Sequence, residues 1–344
     1  MLFLPDYIPK YVQYFISISS VLVIGASTLL YIFQCELIYL ARFPEGSRQY
    51  VAKPSEKDID YEDVTITTKD NVRIKLYVCK LRSDADKRPT VAKPSEKDID
   101  YEDVTITTKD NVRIKLYVCK LRSDADKRPT VLIFHANAGN MGHRLPIAER
   151  FYKLLKCNVV MLSYRGYGLS EGKPHEKGIR IDSQALLDYV LNDEVLKNTK
   201  LIAYGQSLGG AVSIDLVSRN EDKFSGMILE NTFLSIPKLI PHVLPHLKYF
   251  TFLCHQIWNS EQAITQIVNT PILFLSGKLD ELVPSIHMKK LYEINLTSRS
   301  VKQLNSNNIS YKEFSHGTHN DTCIQPYYFD CILEFIKVQI LNEH

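Results

Sequence analysis

The sequence predicts an α/β domain: a mostly parallel central sheet, an antiparallel hairpin leading in at one edge, a small helical cap, and a separate apolar helix in front. Three observations predict it. Short apolar runs (TVLIFH, NVVMLSY, LIAYG, GMILE, PILFLSG) alternate with helix-patterned stretches such as IRIDSQALLDYVL. Strands so uniformly apolar suit a sheet covered on both faces by crossover helices. Residues 11–35 hold no charged side chain at all.

In chain order, that uncharged run comes first. A membrane-spanning helix needs about 20 such residues. The run outlasts the apolar part of a signal peptide, about 7–15 residues, and no A-x-A cleavage pattern follows. Tyr11, Tyr14, Tyr31 and Tyr39 sit near its ends, where aromatic side chains favour the interface. A retained single-pass anchor and link over residues 1–45 is expected, with the domain over 46–344. Lys10 before the run against Arg42 and Arg48 after it leans towards a cytosolic domain. The sequons at Asn295 (NLT) and Asn308 (NIS) pull the other way, since they serve only in the lumen.

After the turn-rich FPEGSR, residues 51–90 and 91–130 are the same forty letters twice, without a substitution. Each copy holds two alternating runs, VTITT and VRIKLYV, around KDN, a β-hairpin pattern. Identity without drift marks a recent in-frame doubling, whether in the gene or in assembly of the sequence. Two copies are too few for a solenoid. They compete for one sheet edge, and the second, which runs directly into TVLIFH, is expected to hold it. Further on, the helix IRIDSQALLDYVL gathers Ile179, Ile181, Ala185, Leu186, Tyr189 and Val190 on one face. Strand LIAYG, helix GGAVSIDLVSR, strands GMILE, PILFLSG and ISYKEF, and a last helix around YYFDCILEFIKVQIL complete the domain. The interval 231–270, apolar and broken by Pro237, Pro241 and Pro245, is read as a cap at about 232–270 over the carboxyl edge of the sheet.

Bulk properties exclude several functions. With 344 residues, 45% hydrophobic and 24% charged, the chain has ample core for one large domain. A net charge of +3 with no basic stripe argues against nucleic acid. The seven cysteines include one residue counted twice (Cys79 and Cys119), and none has zinc-site spacing, so no metal is expected.

The chemistry gathers at GQSLG, residues 205–209. A nucleophilic serine needs a sharp strand-to-helix turn, and small residues at Gly205 and Gly209 relieve its crowding. The helix start then offers the Leu208 N–H to a developing oxyanion. Ser207 requires a base, and the template order is serine, acid, histidine, each at the end of a strand. Asp280 (SGKLDELVP) and His319 (SHGTHND) stand there. His319 takes the serine proton, and Asp280 fixes the imidazole tautomer. Glu281, Glu230 and His316 are nearby competitors. The loop HANAGN after TVLIFH supplies the second oxyanion donor, the Asn137 N–H by position, with Ala138 as the alternative.

The ordered set HANAGNMGHRLP, SYRGYGLSEG, AYGQSLGGAVSIDL, ENTFLSIP, SGKLDELVP and GTHNDT resembles the alpha/beta-hydrolase domain-containing protein 13 family, the bud-emergence-type membrane hydrolases of eukaryotes. The likeness runs from Tyr61 or Tyr101 to the C-terminus, and the anchor followed by FPEGSR fits it too. It implies the alpha/beta-hydrolase fold, a Ser207–Asp280–His319 triad, and a domain on the lumenal side of endomembranes or at the plasma membrane. Protein depalmitoylases among the relatives imply an ester or thioester bond in a lipidated protein or a small acylated molecule, with membrane lipid around the anchor and no cofactor. One position departs: Ala136 stands where the family pattern has glycine. If that position needs φ > 0, the methyl costs on the order of 1 kcal/mol. Two other readings remain: a weak or inactive hydrolase-fold scaffold at the membrane, and a serine peptidase sharing the triad.

Overall fold

The computed structural model describes residues 9–57, 60–68, 70, 72–80, 104–107, 113–119, 124–304 and 306–343. Helix α1, Lys10–Ile38, is the one described helix long and apolar enough to cross a membrane, with a mean hydropathy of 2.0 in its best window. Gln34 is its single buried residue. The strands β1 (Asp60–Thr67), β2 (Arg73–Lys80), β3 (Val104–Thr107) and β4 (Arg113–Cys119) come from the two copies of the repeat. Next come β5 (Thr130–Phe134), α2 (Leu145–Glu149), β6 (Asn158–Ser163), α3 (Glu176–Asn192), β7 (Leu201–Gln206), α4 (Leu208–Arg219) and β8 (Phe224–Glu230). The cap region contributes α5 (Ile236–Val243), a 3-10 stretch Pro245–Leu253, and α6 (Ser260–Ala263). The chain finishes with β9 (Ile272–Gly277), α7 (Ile286–Val301), β10 (Ile309–Phe314) and α8 (Tyr328–Phe335).

From β2 inwards the sheet runs β2-β6-β5-β7-β8-β9-β10. All neighbours from β6 to β10 are parallel, and β2 joins β6 antiparallel. Strands β5, β6, β7 and β9 are buried at every residue, as two-sided cover demands. From β5 the chain goes first to β6 on one side and then to β7 on the other. That reversal is a topological switch point, and open α/β sheets bind ligands beside the carboxyl ends of the strands there.

At the edge, β1 and β2 form the hairpin of the first copy, from Asp60↔Lys80 to Thr67↔Arg73. Its Val64, Ile66, Ile74, Leu76 and Val78 are buried. Asp70 at its turn pairs with Arg165, which is 1% exposed and also grips Asp182 (Nη2–Oδ1 2.7 Å). Strand β4 of the second copy is set against the same place: Val118 and Val78 both lie opposite Val160, and both lie opposite Glu62. One stretch of β6 has two identical claimants. The sequence favoured the second copy; the structure describes buried side chains and the Asp70–Arg165 pair for the first, and the corresponding side chains of the second lie outside the described residues. Identical side chains give identical contacts, so only chain connectivity separates the two seats. The junction Thr90–Val91 lies outside the described residues.

Helix α5 and the 3-10 stretch pack against α1. Leu30, Leu37 and Ile38 face Ile240, Leu244, Leu247, Phe250 and Leu253 across a cavity of about 60 Å³. Gln34 is inserted beyond them: its amide donates to Leu253 O (3.3 Å), and its Oε1 accepts from His255 N (2.8 Å). Past α1, Tyr39 is buried, accepting from Trp258 Nε1 (3.0 Å) and donating to Gln256 Oε1 (2.9 Å). The two sequon asparagines differ in burial: Asn308 is half-buried. Asn295 is fully buried, donating to Ile264 O and Ile267 O, and Asn308 accepts from Arg299 and donates to Asn269 O.

Candidate active site

Ser207 joins β7 to α4 with φ 54° and ψ −118°, a backbone state that costs a residue with a side chain about 1–3 kcal/mol. The fold imposes it by close packing. A Cβ on Gly205 would lie 2.1 Å from Gly209 O, and one on Gly209 would lie 1.9 Å from Phe134 O. The turn is tied on both sides: Ser207 N donates to Glu230 O (2.9 Å), and Thr232 Oγ1 donates to Ser207 O (2.7 Å). Leu208 is the first residue of α4, so its N–H is one that the helix itself cannot use.

His319 and Asp280 meet. His319 Nδ1 lies 2.8 Å from Asp280 Oδ2 and 3.0 Å from Oδ1. Asp280 Oδ1 also accepts from Leu282 N (2.9 Å) and Val283 N (2.7 Å), which hold the carboxylate in place. Ser207, Asp280 and His319 are each buried, at 7%, 8% and 5% exposure. The His319 carbonyl accepts from Gln206 Nε2 (3.1 Å), the neighbour of Ser207, so the His319 loop and the elbow share a bond. The competitors fall elsewhere. Glu281 accepts the His319 N–H at 3.2 Å, and His316 is exposed. Glu230 is fully buried beneath the elbow, where Tyr204 and Tyr328 donate to it; burial raises its pKa.

The loop 135–140 follows the carboxyl end of β5. His135 is buried, shares a hydrogen bond with Ala136 O through Nδ1 (2.7 Å), and has its pKa pushed down to about 3 by burial. Ala136 is buried and is not among the residues with positive φ, so its methyl carries no left-handed strain. The Asn137 side chain is engaged through both its nitrogen and its oxygen. Its Nδ2 donates to Ile38 O (2.6 Å), while its Oδ1 accepts from Leu40 N (3.2 Å) and Tyr167 OH (2.7 Å). Among the described residues, no three His, Cys, Asp or Glu side chains gather as a metal site.

Several residues that build this site escaped the sequence reading. Asn231 (φ 46°) accepts from Gly277 N at the start of the Asp280 loop and donates to His319 O and Thr318 O. It thus knits the Asp280 loop to the His319 loop. Tyr164 donates to His135 O (2.9 Å), so both tyrosines of SYRGYG position the loop after β5. The quoted motifs ENTFLSIP and SYRGYGLSEG contained these residues, but nothing in their spacing announced the partners.

The chain is similar to several known proteins. The family described as serine aminopeptidase, S33, matches residues 125–260. Protein bem46 of Schizosaccharomyces pombe is 38% identical over 91% of this chain and 89% of its own length. A Saccharomyces cerevisiae protein described as an uncharacterized membrane protein is 43% identical over 89% of this chain and 90% of its own. Among solved structures, an esterase of Pyrococcus furiosus superposes with a TM-score of 0.57 at 18% identity, covering 83% of this chain and 93% of that one. The last likeness is one of fold; those to the two yeast proteins span nearly whole chains. The chain belongs to the bem46-type alpha/beta-hydrolase proteins.

Proposed function

We propose that this protein is a membrane-anchored serine hydrolase that cleaves an acyl ester or thioester through an acyl-enzyme on Ser207. The observation that carries the reading is the conjunction of a strained Ser207 at the strand-to-helix turn with a buried His319–Asp280 pair 2.8 Å apart. Ser207 Oγ attacks the acyl carbon while His319 Nε2 takes the hydroxyl proton, and Asp280 stabilises the imidazolium through Nδ1. The oxyanion forms between the N–H groups of Leu208 and Asn137. Collapse expels an alcohol or thiol, which leaves with the proton from His319. Water, deprotonated by His319, then attacks the acyl-enzyme. The free acid departs and Ser207 regains its proton. The steps as written need no cofactor.

The substrate class is a lipidated protein or small acylated molecule at a membrane surface. Supporting this, α1 is apolar enough to span a bilayer, and its end packs directly on the catalytic domain. The cavity between α1 and the cap, about 60 Å³, is too small for a long acyl chain, so the apolar cap residues lining it are read as packing. The family description favours a second reading, cleavage of amides, which shares the triad. A series of p-nitrophenyl esters, acyl thioesters and aminoacyl amides decides between them. Ester or thioester turnover lost on His319→Ala is expected. Amide turnover alone would favour the peptidase, and no turnover of any of them the scaffold. Protease protection in sealed microsomes assigns the domain to one side of the membrane.

A further inference from the structure

We propose that the stretch just after the membrane helix is a working part of the active site, because the Asn137 side chain clamps the oxyanion loop to it. The inference rests on the hydrolase reading above and deepens it.

Three residues of the loop are held by this one stretch. Asn137 donates to Ile38 O and accepts from Leu40 N, across 99 and 97 positions of sequence. Gly139 N donates to Phe43 O at 2.7 Å. Asn140 Nδ2 donates to Ser47 O (2.8 Å) and Tyr50 O (3.1 Å), while its Oδ1 accepts from Gly142 N (2.9 Å). The loop therefore takes its position from residues 38–50 as much as from β5. An oxyanion donor is useful only where it meets the developing charge, and a misplacement of about 1 Å can cost 10²-fold. The Asn137 amide engages two backbone groups, Ile38 O and Leu40 N, in a bidentate grip on the chain where it leaves α1. A substitution that merely shortened the side chain would release both. The stretch is itself fixed, with Gln34, Tyr39 and Ala41 buried against the domain. Asn137 is thus a positioning residue through its side chain, whatever its own N–H does.

The test removes one bond from outside the loop. Leu40→Pro deletes the Leu40 N–H. The preceding Tyr39 is already extended (φ −94°, ψ 106°), a conformation that a following proline tolerates. Leu40→Ala is the control, because it keeps the N–H and loses only a side chain that is 45% exposed. Full-length protein in detergent is assayed on p-nitrophenyl butyrate, with active sites counted by a fluorophosphonate so that unfolded molecules drop out. Turnover per counted site is expected to fall about 10–100-fold in Leu40→Pro with KM unchanged, and to stay at the wild-type value in Leu40→Ala. A purely structural role would lower the number of counted sites and leave their turnover alone; that result overturns the clamp. If Leu40→Pro does not fold, Asn137→Asp serves in its place. It keeps the acceptor for Leu40 N–H and turns the donor towards Ile38 O into an acceptor, and unchanged turnover per site would again overturn the proposal. A wild-type protein that neither labels nor turns over would instead remove the hydrolase reading, and the clamp with it.

Discussion

Deleting forty residues should stabilise this protein. Because the two copies are identical, removing 51–90 or 91–130 leaves the same 304-residue chain. With the first copy seated, Lys80 at the end of β2 and Thr130 at the start of β5 are joined by residues 81–129. That connection is 49 residues long, against 9 after the deletion. Loop closure costs (3/2)RT ln n, so the shortening is worth about 1.5 kcal/mol. The 344-residue chain recovers about RT ln 2, or roughly 0.4 kcal/mol, from having two equivalent seats. The net gain on deletion is about 1 kcal/mol, a rise of about 2–4 °C in melting temperature for a domain of this size. Thermal unfolding of the two chains side by side reads it, with fluorophosphonate labelling as the check on the site. A 304-residue chain that melts lower, or fails to label when the longer one does, would refute the reasoning and give the second copy a role of its own.

Other predictions concern the site and its surroundings. Gly209→Ala places a Cβ 1.9 Å from Phe134 O where ordinary contact begins at 3.4 Å, so α4 must retreat by about 1.5 Å. Labelling of Ser207 should slow by about 10²-fold or more and the melting temperature should drop; a normal rate in a normally stable variant contradicts the packing argument. Asp280→Asn should leave stability nearly intact and cut ester turnover by about 10³–10⁴-fold, while a loss under tenfold would point to another acid. Below pH 6.5 an unfolded chain protonates its histidines, but folded His135 resists until about pH 3 and His287 until about pH 4. The unfolded state then binds more protons, so stability should fall as pH drops from 6.5 towards 3 and level off below. His135→Gln should flatten that slope, and an unaltered slope would place the acid sensitivity elsewhere.

The parallel core and the meeting of Asp280 with His319 were legible in the sequence because each announces itself locally. A five-residue apolar strand such as TVLIF admits few readings between helices, and GQSLG marks its own turn. Asp280 and Glu281 could not be told apart by position, and the structure separates them: Asp280 meets His319 Nδ1, while Glu281 meets only its backbone N–H. The hairpin seat was illegible in principle, since two identical strings offer no side-chain difference to reason from. The grip of Asn137 on Ile38 and Leu40 was illegible for another reason. An asparagine in a loop looks like any turn residue, and a bond to backbone nearly a hundred positions away leaves no trace in composition or periodicity.

The measurement closest to the central claim is covalent labelling of Ser207. A fluorophosphonate should modify the wild-type protein at Ser207, as read by peptide mass spectrometry, and should fail to modify Ser207→Ala. Equal labelling of the two, or labelling of wild type at any other residue, would contradict the claim that Ser207 is the nucleophile.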